Sequence, residues 1–271
     1  MAAIRSEPAV RGHGLVVAYG AHLALAASDV EIPRGQVTAV IGPNGSGKST
    51  LLNAISGLVT PSDGHLEVLG HPAGAQPHRI AYVLQSTKVS DFLPVTVLET
   101  VRMGRYAHRG LTRWFTAADH RAVEDALALL DLTDLAHRHL GTLSGGQRQR
   151  AFVAQGLAQH AALILLDEPT TALDVVSADR ITQAIAAERE RGATVVLTTH
   201  DLAEARTADH VVVVAGRVVA AGPPDEVCNP EVLGLAYGAR FVVTDQGSVL
   251  VDDAHHTGHH RGAGGGPGGT R

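Results

Sequence analysis

Three short stretches of the chain are almost wholly apolar: QVTAVI (Gln36 to Ile41), ALILL at the head of ALILLDEP (Ala162 to Pro169), and TVVL at the head of TVVLTTH (Thr194 to His200). Continuous rather than alternating apolar runs of this length mark strands buried on both faces, as in a parallel sheet. Helical stretches separate them. KSTLLNAISGL (Lys48 to Leu58) follows the first run, QRQRAFVAQGLAQH (Gln147 to His160) precedes the second, and a helix over Ala178 to Arg189 lies between the second and third. Strands alternating with helices predict an α/β fold around a mostly parallel sheet, whose ligands gather beyond the carboxyl ends of the strands. Polar clusters stand at three such ends: Gly42 to Thr50, Asp167 with Glu168, and His200.

The remaining pattern adds two appendages. GLVVAYG (Gly14 to Gly20), LALAASDVEI (Leu23 to Ile32) and GHLEVLG (Gly64 to Gly70) read as short strands of an antiparallel β lobe. VVVVAGRVVAAG (Val211 to Gly222) reads as a hairpin packed on the core. From Leu93 to Leu140 the pattern is helical. Thr116 with Asp119 forms a capping-box signature, and Val123, Ala126, Leu127 and Leu130 recur at helical spacing behind it. This is a helical insert between the first two core strands. From Asp252 onward DDAHHTGHHRGAGGGPGGTR has no apolar period, so 252–271 is expected to be a disordered His/Gly-rich tail, with one folded domain over 12–251.

Composition narrows the partners. With 271 residues and 45% hydrophobic content the chain can bury a sizeable core. A net charge of −5 offers no basic field, so no nucleic-acid partner is expected. Cys228 is the only cysteine and has no internal disulfide partner, which fits a small apolar residue in a reducing compartment. No signal-peptide core and no apolar run of about 18 residues is present, so the chain is not expected to span a membrane by itself.

The chemistry lies in the strand-end clusters. GPNGSGKST, between a strand and a helix, satisfies the spacing of a phosphate-binding loop. Gly42, Gly45 and Gly47, with Pro43, Asn44 and Ser46, let backbone N–H groups face one anion at a helix N-terminus. Lys48 then reaches the β- and γ-phosphates of ATP, and the hydroxyls of Ser49 and Thr50 lie beside it, Ser49 as a ligand to Mg²⁺. Asp167, delivered by an apolar strand, is suited to the Mg²⁺ shell, and Glu168 to orienting or deprotonating the attacking water. Gln85, in YVLQS, is placed to bridge Mg²⁺ and that water, and His200 to bond the γ-phosphate. A second glycine-bearing helix start, LSGGQ (Leu143 to Gln147), offers Ser144 as an N-cap, Gln147 at the capping-box position, and the N–H groups of Gly145 and Gly146.

Together these motifs resemble the nucleotide-binding subunit of ATP-binding cassette transporters, over about Leu15 to Val251. The resemblance implies a RecA-like phosphate-loop NTPase core carrying the β lobe and the helical insert. It makes Gln85 the glutamine switch, LSGGQ the signature, LILLDEP the second nucleotide motif, Asp174 of ALD the D-loop residue, and His200 the switch histidine. Tyr19 stands where an aromatic stacks on adenine. It further implies a head-to-tail pair of cassettes, in which Ser144, Gly145 and Gly146 of one copy close over the ATP held by the other. Expected partners are therefore a second copy, membrane permease subunits docking near Gln85 on the insert, and an extracytoplasmic solute-binding protein, with the chain held peripherally at the cytoplasmic face of the cell membrane. Leu84 in place of a proline departs from the family pattern, as do Gln155 and Gly156 in place of arginine and alanine, and these two are expected to soften the helix after the signature slightly.

FLPVTVLETVRMGRYAHRG (Phe92 to Gly110) resembles cassettes of metal and iron-chelate importers, with Trp114 and Phe115 as docking side chains. His255, His256, His259 and His260 beside Asp252 and Asp253 are zinc-suited ligands. The expected cargo is zinc or manganese, with an iron chelate as the alternative. Two other classes fit less well. A phosphate-loop kinase has no use for LSGGQ. A DNA-maintenance cassette would carry long heptad repeats in the interval of about 120 residues between Lys48 and Asp167, and a translation cassette would be paired within one chain.

Overall fold

The structure is a computed structural model of the chain and describes residues 7–85, 94–109, 114–238, 241–243 and 249–251. Its centre is a six-stranded sheet in the order β10-β9-β3-β8-β7-β6. Strands β3 (Val37–Ile41), β6 (Ile80–Val83), β7 (Leu163–Asp167), β8 (Thr194–Thr198) and β9 (His210–Val214) are parallel, and β10 (Val218–Gly222) pairs antiparallel with β9. The expected hairpin is thus the edge of the main sheet rather than a piece packed on it.

Both faces of that sheet are covered, which is why its strands read as continuous apolar runs. On one face Ala39, Ile41, Val83, Ile164, Leu166, Val195 and Leu197 pack under α5 (Gly145–Ala158), α6 (Val175–Glu190) and the insert. On the other, Val40, Leu163, Leu165, Val196 and Val212 meet Leu51, Leu52 and Ile55 of α1 (Lys48–Ser56) and residues of the β lobe. That lobe is an antiparallel sheet of order β2-β1-β4-β5, built from β1 (Val10–Tyr19), β2 (His22–Ile32), β4 (Asp63–Val68) and the two-residue β5 (His71–Pro72). Cys228 is buried in the core, as its composition suggested.

The insert contains α2 (Val97–Met103), α3 (Tyr106–Arg109) and α4 (Ala117–Leu129). The capping box at Thr116 forms: its hydroxyl accepts from the Asp119 N–H, and the Asp119 carboxylate accepts from the Thr116 N–H at 2.8 Å. Val123, Ala126, Leu127 and Leu130 are all buried. The fully buried Asp119 also receives Arg105 Nε at 3.0 Å and Nη2 at 2.8 Å, while Arg105 Nη1 bonds the Ala158 and Gln159 carbonyls at the end of α5. Burial on its own raises the Asp119 pKa. The Thr116 hydroxyl and N–H and the Arg105 guanidinium outweigh it and hold the carboxyl well below the usual range. One ion pair therefore ties the start of α4 to the far end of the helix that LSGGQ begins.

Helix α6 begins at Val175, earlier than the expected Ala178, because Asp174 caps it: its carboxylate accepts from the Ser177 N–H at 2.9 Å and the Ser177 hydroxyl at 2.8 Å. Helix α5 runs through Gln155 and Gly156 without a break. Strand β6 lies in a stretch whose pattern gave no strand. Among the described residues no helix is long and apolar enough to cross a membrane, and no group of three or more His, Cys, Asp or Glu side chains gathers as a metal site. The tail histidines, the start of the insert at 86–93 and the segment 110–113 lie outside the described residues.

Candidate functional site

The carboxyl ends of four neighbouring strands converge on one cleft of ≈ 810 Å³. From β3 come Asn44, Gly45, Ser46, Gly47, Lys48, Ser49 and Thr50; from β6 Gln85; from β7 Glu168; from β8 His200; and the lobe adds Tyr19, 45% exposed at the β1–β2 turn. His22, Leu23, Thr171 and Gly216 also line it. None of those four carries a sequence signal apart from the fold.

The loop is shaped by what it cannot tolerate. Gly42 has φ +152°, and a Cβ there would lie 2.0 Å from the Val214 carbonyl oxygen, so only glycine passes the end of β9. Gly42 and Pro43 sit behind the cleft wall, where their carbonyls accept from Lys48 Nζ at 2.8 and 3.1 Å. The ammonium is thereby held across the mouth of the loop. Gly47, at the N-cap of α1, offers no side-chain cap, which leaves the first N–H groups of the helix turned toward the cleft.

The acidic pair divides into two environments. Asp167 is 6% exposed, and its Oδ1 accepts from the Thr198 hydroxyl at 2.6 Å; that same hydroxyl oxygen accepts from the Glu168 N–H at 2.8 Å. Glu168 turns out of the strand with φ +48°, a strained conformation for a residue with a side chain, which aims its carboxylate into the cleft. There Oε2 accepts from Gln85 Nε2 at 2.6 Å. Two residues singled out separately in the sequence are thus direct partners. Tyr82, three residues before Gln85, places its hydroxyl in the interior beneath this group; burial first, then the nearby Asp167 and Tyr19, push its pKa up.

The signature lies elsewhere. Ser144 caps α5, accepting from the Gln147 N–H at 3.2 Å, and Gln147 Oε1 accepts from the Ser144 N–H at 3.1 Å. None of Ser144, Gly145, Gly146 and Gln147 lines the Lys48 cleft, nor does Asp174. Gly145 is open: a Cβ there would meet nothing within 4 Å. Gly146 is buried against α6, where a Cβ would lie 2.4 Å from Ser177 Oγ and 2.6 Å from Asp174 Oδ2. In this subunit, then, Gly146 and Asp174 are packed against each other and lie outside the cleft beside Lys48.

A second cleft of ≈ 320 Å³ opens beside the first, between β6, α2, α3 and α5. Leu84, Met103, Ala107, Phe152 and Gln155 line it, and Leu84 and Met103 are exposed. Of the two aromatics expected to dock, Phe115 packs edge-on against Tyr106 within the insert at 5.7 Å, whereas Trp114 is 94% exposed.

Residues 25–171 match the ABC transporter family. The chain is 41% identical over 254 residues to the ferric enterobactin transport ATP-binding protein of Escherichia coli (strain K12), covering 89% of this chain and 93% of that one. It is 38% identical over 242 residues to the manganese transport system ATP-binding protein of Synechocystis sp. (strain ATCC 27184 / PCC 6803 / Kazusa), covering 88% and 93%. Among solved structures it resembles a metal-chelate type ABC transporter in an inward-facing conformation, with a TM-score of 0.73 at 31% identity over 85% of this chain and 89% of that one. Matched in family, relatives and fold, with a phosphate loop, an acidic strand end and a separate signature helix in their places, the chain belongs to the ABC transporter family as an ATP-binding, ATP-hydrolysing subunit.

Proposed function

We propose that two copies of this chain associate head to tail and drive the import of a metal ion, with ATP sandwiched between the Lys48 cleft of one copy and the Ser144 helix start of the other. The observation that carries this reading is the separation of the two helix starts. The Lys48 cleft holds Gln85, Glu168 and His200, yet none of the signature residues lines it. Gly145 has open space above it, and the Ser144 hydroxyl, which accepts from Gln147, keeps its own proton to donate. A γ-phosphate arriving from a second copy supplies the missing acceptor, and its removal by hydrolysis loosens the pair.

Within the cleft each residue has a role set by its position. Tyr19 stacks on the adenine. The loop N–H groups and Lys48 hold the β- and γ-phosphates. Glu168, held by Gln85, orients the attacking water and takes its proton, while His200 bonds the γ-phosphate. The donors suited to Mg²⁺ are all oxygens: the Ser49 hydroxyl, the Asp167 carboxylate and the Gln85 amide, a hard set that fits this cation. Bound there, Mg²⁺ would neutralise phosphate charge. Asp174 caps α6 and braces the signature glycine beside it, so its effect on nucleotide is through Gly146.

The cargo reading rests on the relatives and the insert. Manganese and an iron chelate are supported equally, zinc less, and a solute-binding protein outside the membrane would deliver either one. The exposed Leu84 and Met103 beside Gln85 offer permease helices a foothold close to the hydrolytic residues. Such docking holds the chain at the cytoplasmic face of the membrane. The test is uptake of radiolabelled manganese and of ferric siderophore in cells lacking the chain, complemented with the wild type or with Lys48→Ala. Loss of one uptake, restored by the wild type and not by the variant, supports the reading and selects the cargo; unchanged uptake of both overturns it.

A further inference from the structure

We propose that Tyr82 is a positioning residue for Asp167, its hydroxyl donating to the Asp167 carboxylate and its hydration when nucleotide and divalent cation occupy the cleft. The inference rests on the nucleotide-site reading above and extends it to a residue no motif singles out.

The sheet register sets the geometry. Tyr82 on β6 lies opposite Leu165 on β7, two residues before Asp167. Tyr82, Leu163 and Leu165 pack in the same core beneath α1, so the alternation of the strand puts Asp167 on that face as well. Tyr82 and Asp167 are then diagonal neighbours, about 7–8 Å apart at the backbone and within reach of an aromatic side chain. On the other side of β7, Thr198 lies directly opposite Asp167 and donates to Oδ1 at 2.6 Å. Asp167 thus has a hydroxyl-bearing residue on each neighbouring strand, Thr198 bonded to it and Tyr82 without a hydrogen bond.

The unbonded one is the anomaly. The Tyr82 hydroxyl is buried and meets no hydrogen-bond partner among the described residues. A phenol deprived of water and left unpaired is unfavourable, and a tyrosine buried for packing alone would be replaced by phenylalanine at no loss. Asp167 and Tyr19 both act electrostatically on this hydroxyl. A donor at this point, beside a carboxylate already fixed by Thr198, limits which way the second carboxylate oxygen turns. That oxygen is the one left to reach a cation beside Ser49.

The test is Tyr82→Phe, read first as affinity for a non-hydrolysable ATP analogue by calorimetry, with Mg²⁺ and with EDTA. The analogue should bind the variant as tightly as the wild type in EDTA. The increase in affinity that Mg²⁺ gives should fall about tenfold, the scale of one hydrogen bond to a charged group. The nucleotide-free variant should melt no lower than the wild type, because the hydroxyl it loses is unpaired there. In an Asp167→Asn background, Tyr82→Phe should have no further effect on the Mg²⁺ increment. An unchanged Mg²⁺ increment, an equal loss in EDTA, or a lowered melting temperature without nucleotide would each overturn the proposal. Wild-type protein that failed to bind the analogue at all would instead remove the nucleotide-site reading beneath it.

Discussion

Gly145 and Gly146 are adjacent in the signature, yet adding one methyl to each should do different things. At Gly146 the new Cβ falls 2.4 Å from Ser177 Oγ and 2.6 Å from Asp174 Oδ2, both far inside contact distance. Those two atoms are hydrogen-bonded to each other at 2.8 Å, and Asp174 caps α6 through its other oxygen, so neither yields without cost. Overpacking of this kind costs about 1–3 kcal/mol, loss of the cap adds about 1, and the gain in helix propensity over glycine returns at most about 1. Net destabilisation of about 1–3 kcal/mol lowers the melting temperature of a domain this size by about 2–4 °C per kcal/mol. At Gly145 nothing lies within 4 Å, so Gly145→Ala should melt no lower than the wild type, and up to about 4 °C higher where the helix-propensity gain is felt in full. Its effect should appear only where a second copy closes on that surface. Scanning calorimetry of both variants without nucleotide, followed by ATPase rate against protein concentration, separates the two. Gly145→Ala should lose the steep concentration dependence of turnover while remaining at least as stable as the wild type. A Gly145→Ala variant with normal turnover would refute the idea that this helix start is covered by the partner. A Gly146→Ala variant as stable as the wild type would refute the packing argument.

Glu168→Gln keeps the shape of the residue and its contact with Gln85 but removes the base; hydrolysis should fall at least about 100-fold while ATP still binds, and gel filtration with ATP should show an accumulated dimer. Unchanged turnover would contradict the role. Asp119→Asn strands the Arg105 guanidinium in the interior and should cost about 3–5 kcal/mol by denaturant unfolding, softened where the α5 carbonyls keep part of its bonding. The sign with pH follows from the depressed Asp119 pKa: its stabilisation is full above the unfolded carboxyl pKa of about 4 and is lost as pH falls through the lower folded value. Between pH 7 and about pH 2 the wild type should therefore lose more stability than the variant; an equal loss in both would count against the ion pair.

Much of this site could be read from the chain because its parts are local. GPNGSGKST carries its own backbone geometry, and the strands before Asp167 and His200 announce themselves as unbroken apolar runs. Ser144 and Thr116 announced their helices through a partner three residues on, and both capping boxes form. What escaped was relational. Strand β6 has only the four residues IAYV, too few to show a period, so neither its pairing with β7 nor the face Tyr82 occupies was accessible. Thr198 looks like one polar residue in an apolar strand until the register sets it against Asp167. Asp174 stands in a motif that the resemblance ties to nucleotide, and its spacing to Ser177 is also that of a helix cap, which the fold forms.

The two helix starts that drew attention in the sequence are chemically unlike, and that difference bears on which one holds nucleotide first. At α1 no side chain caps the helix, so its first N–H groups depend on whatever enters the cleft, and Lys48 adds a full charge beside them. At α5, Ser144 and Gln147 satisfy each other, and the neighbouring Arg148 guanidinium is bonded to the Leu143 carbonyl. An anion should therefore pay its visit to α1 with or without a partner subunit, whereas α5 gains from one only when the anion is brought to it already held. For the proposed pair, the capping of each helix predicts that the Lys48 cleft fills before the two copies close; closure of nucleotide-free protein as tight as with ATP would refute this order.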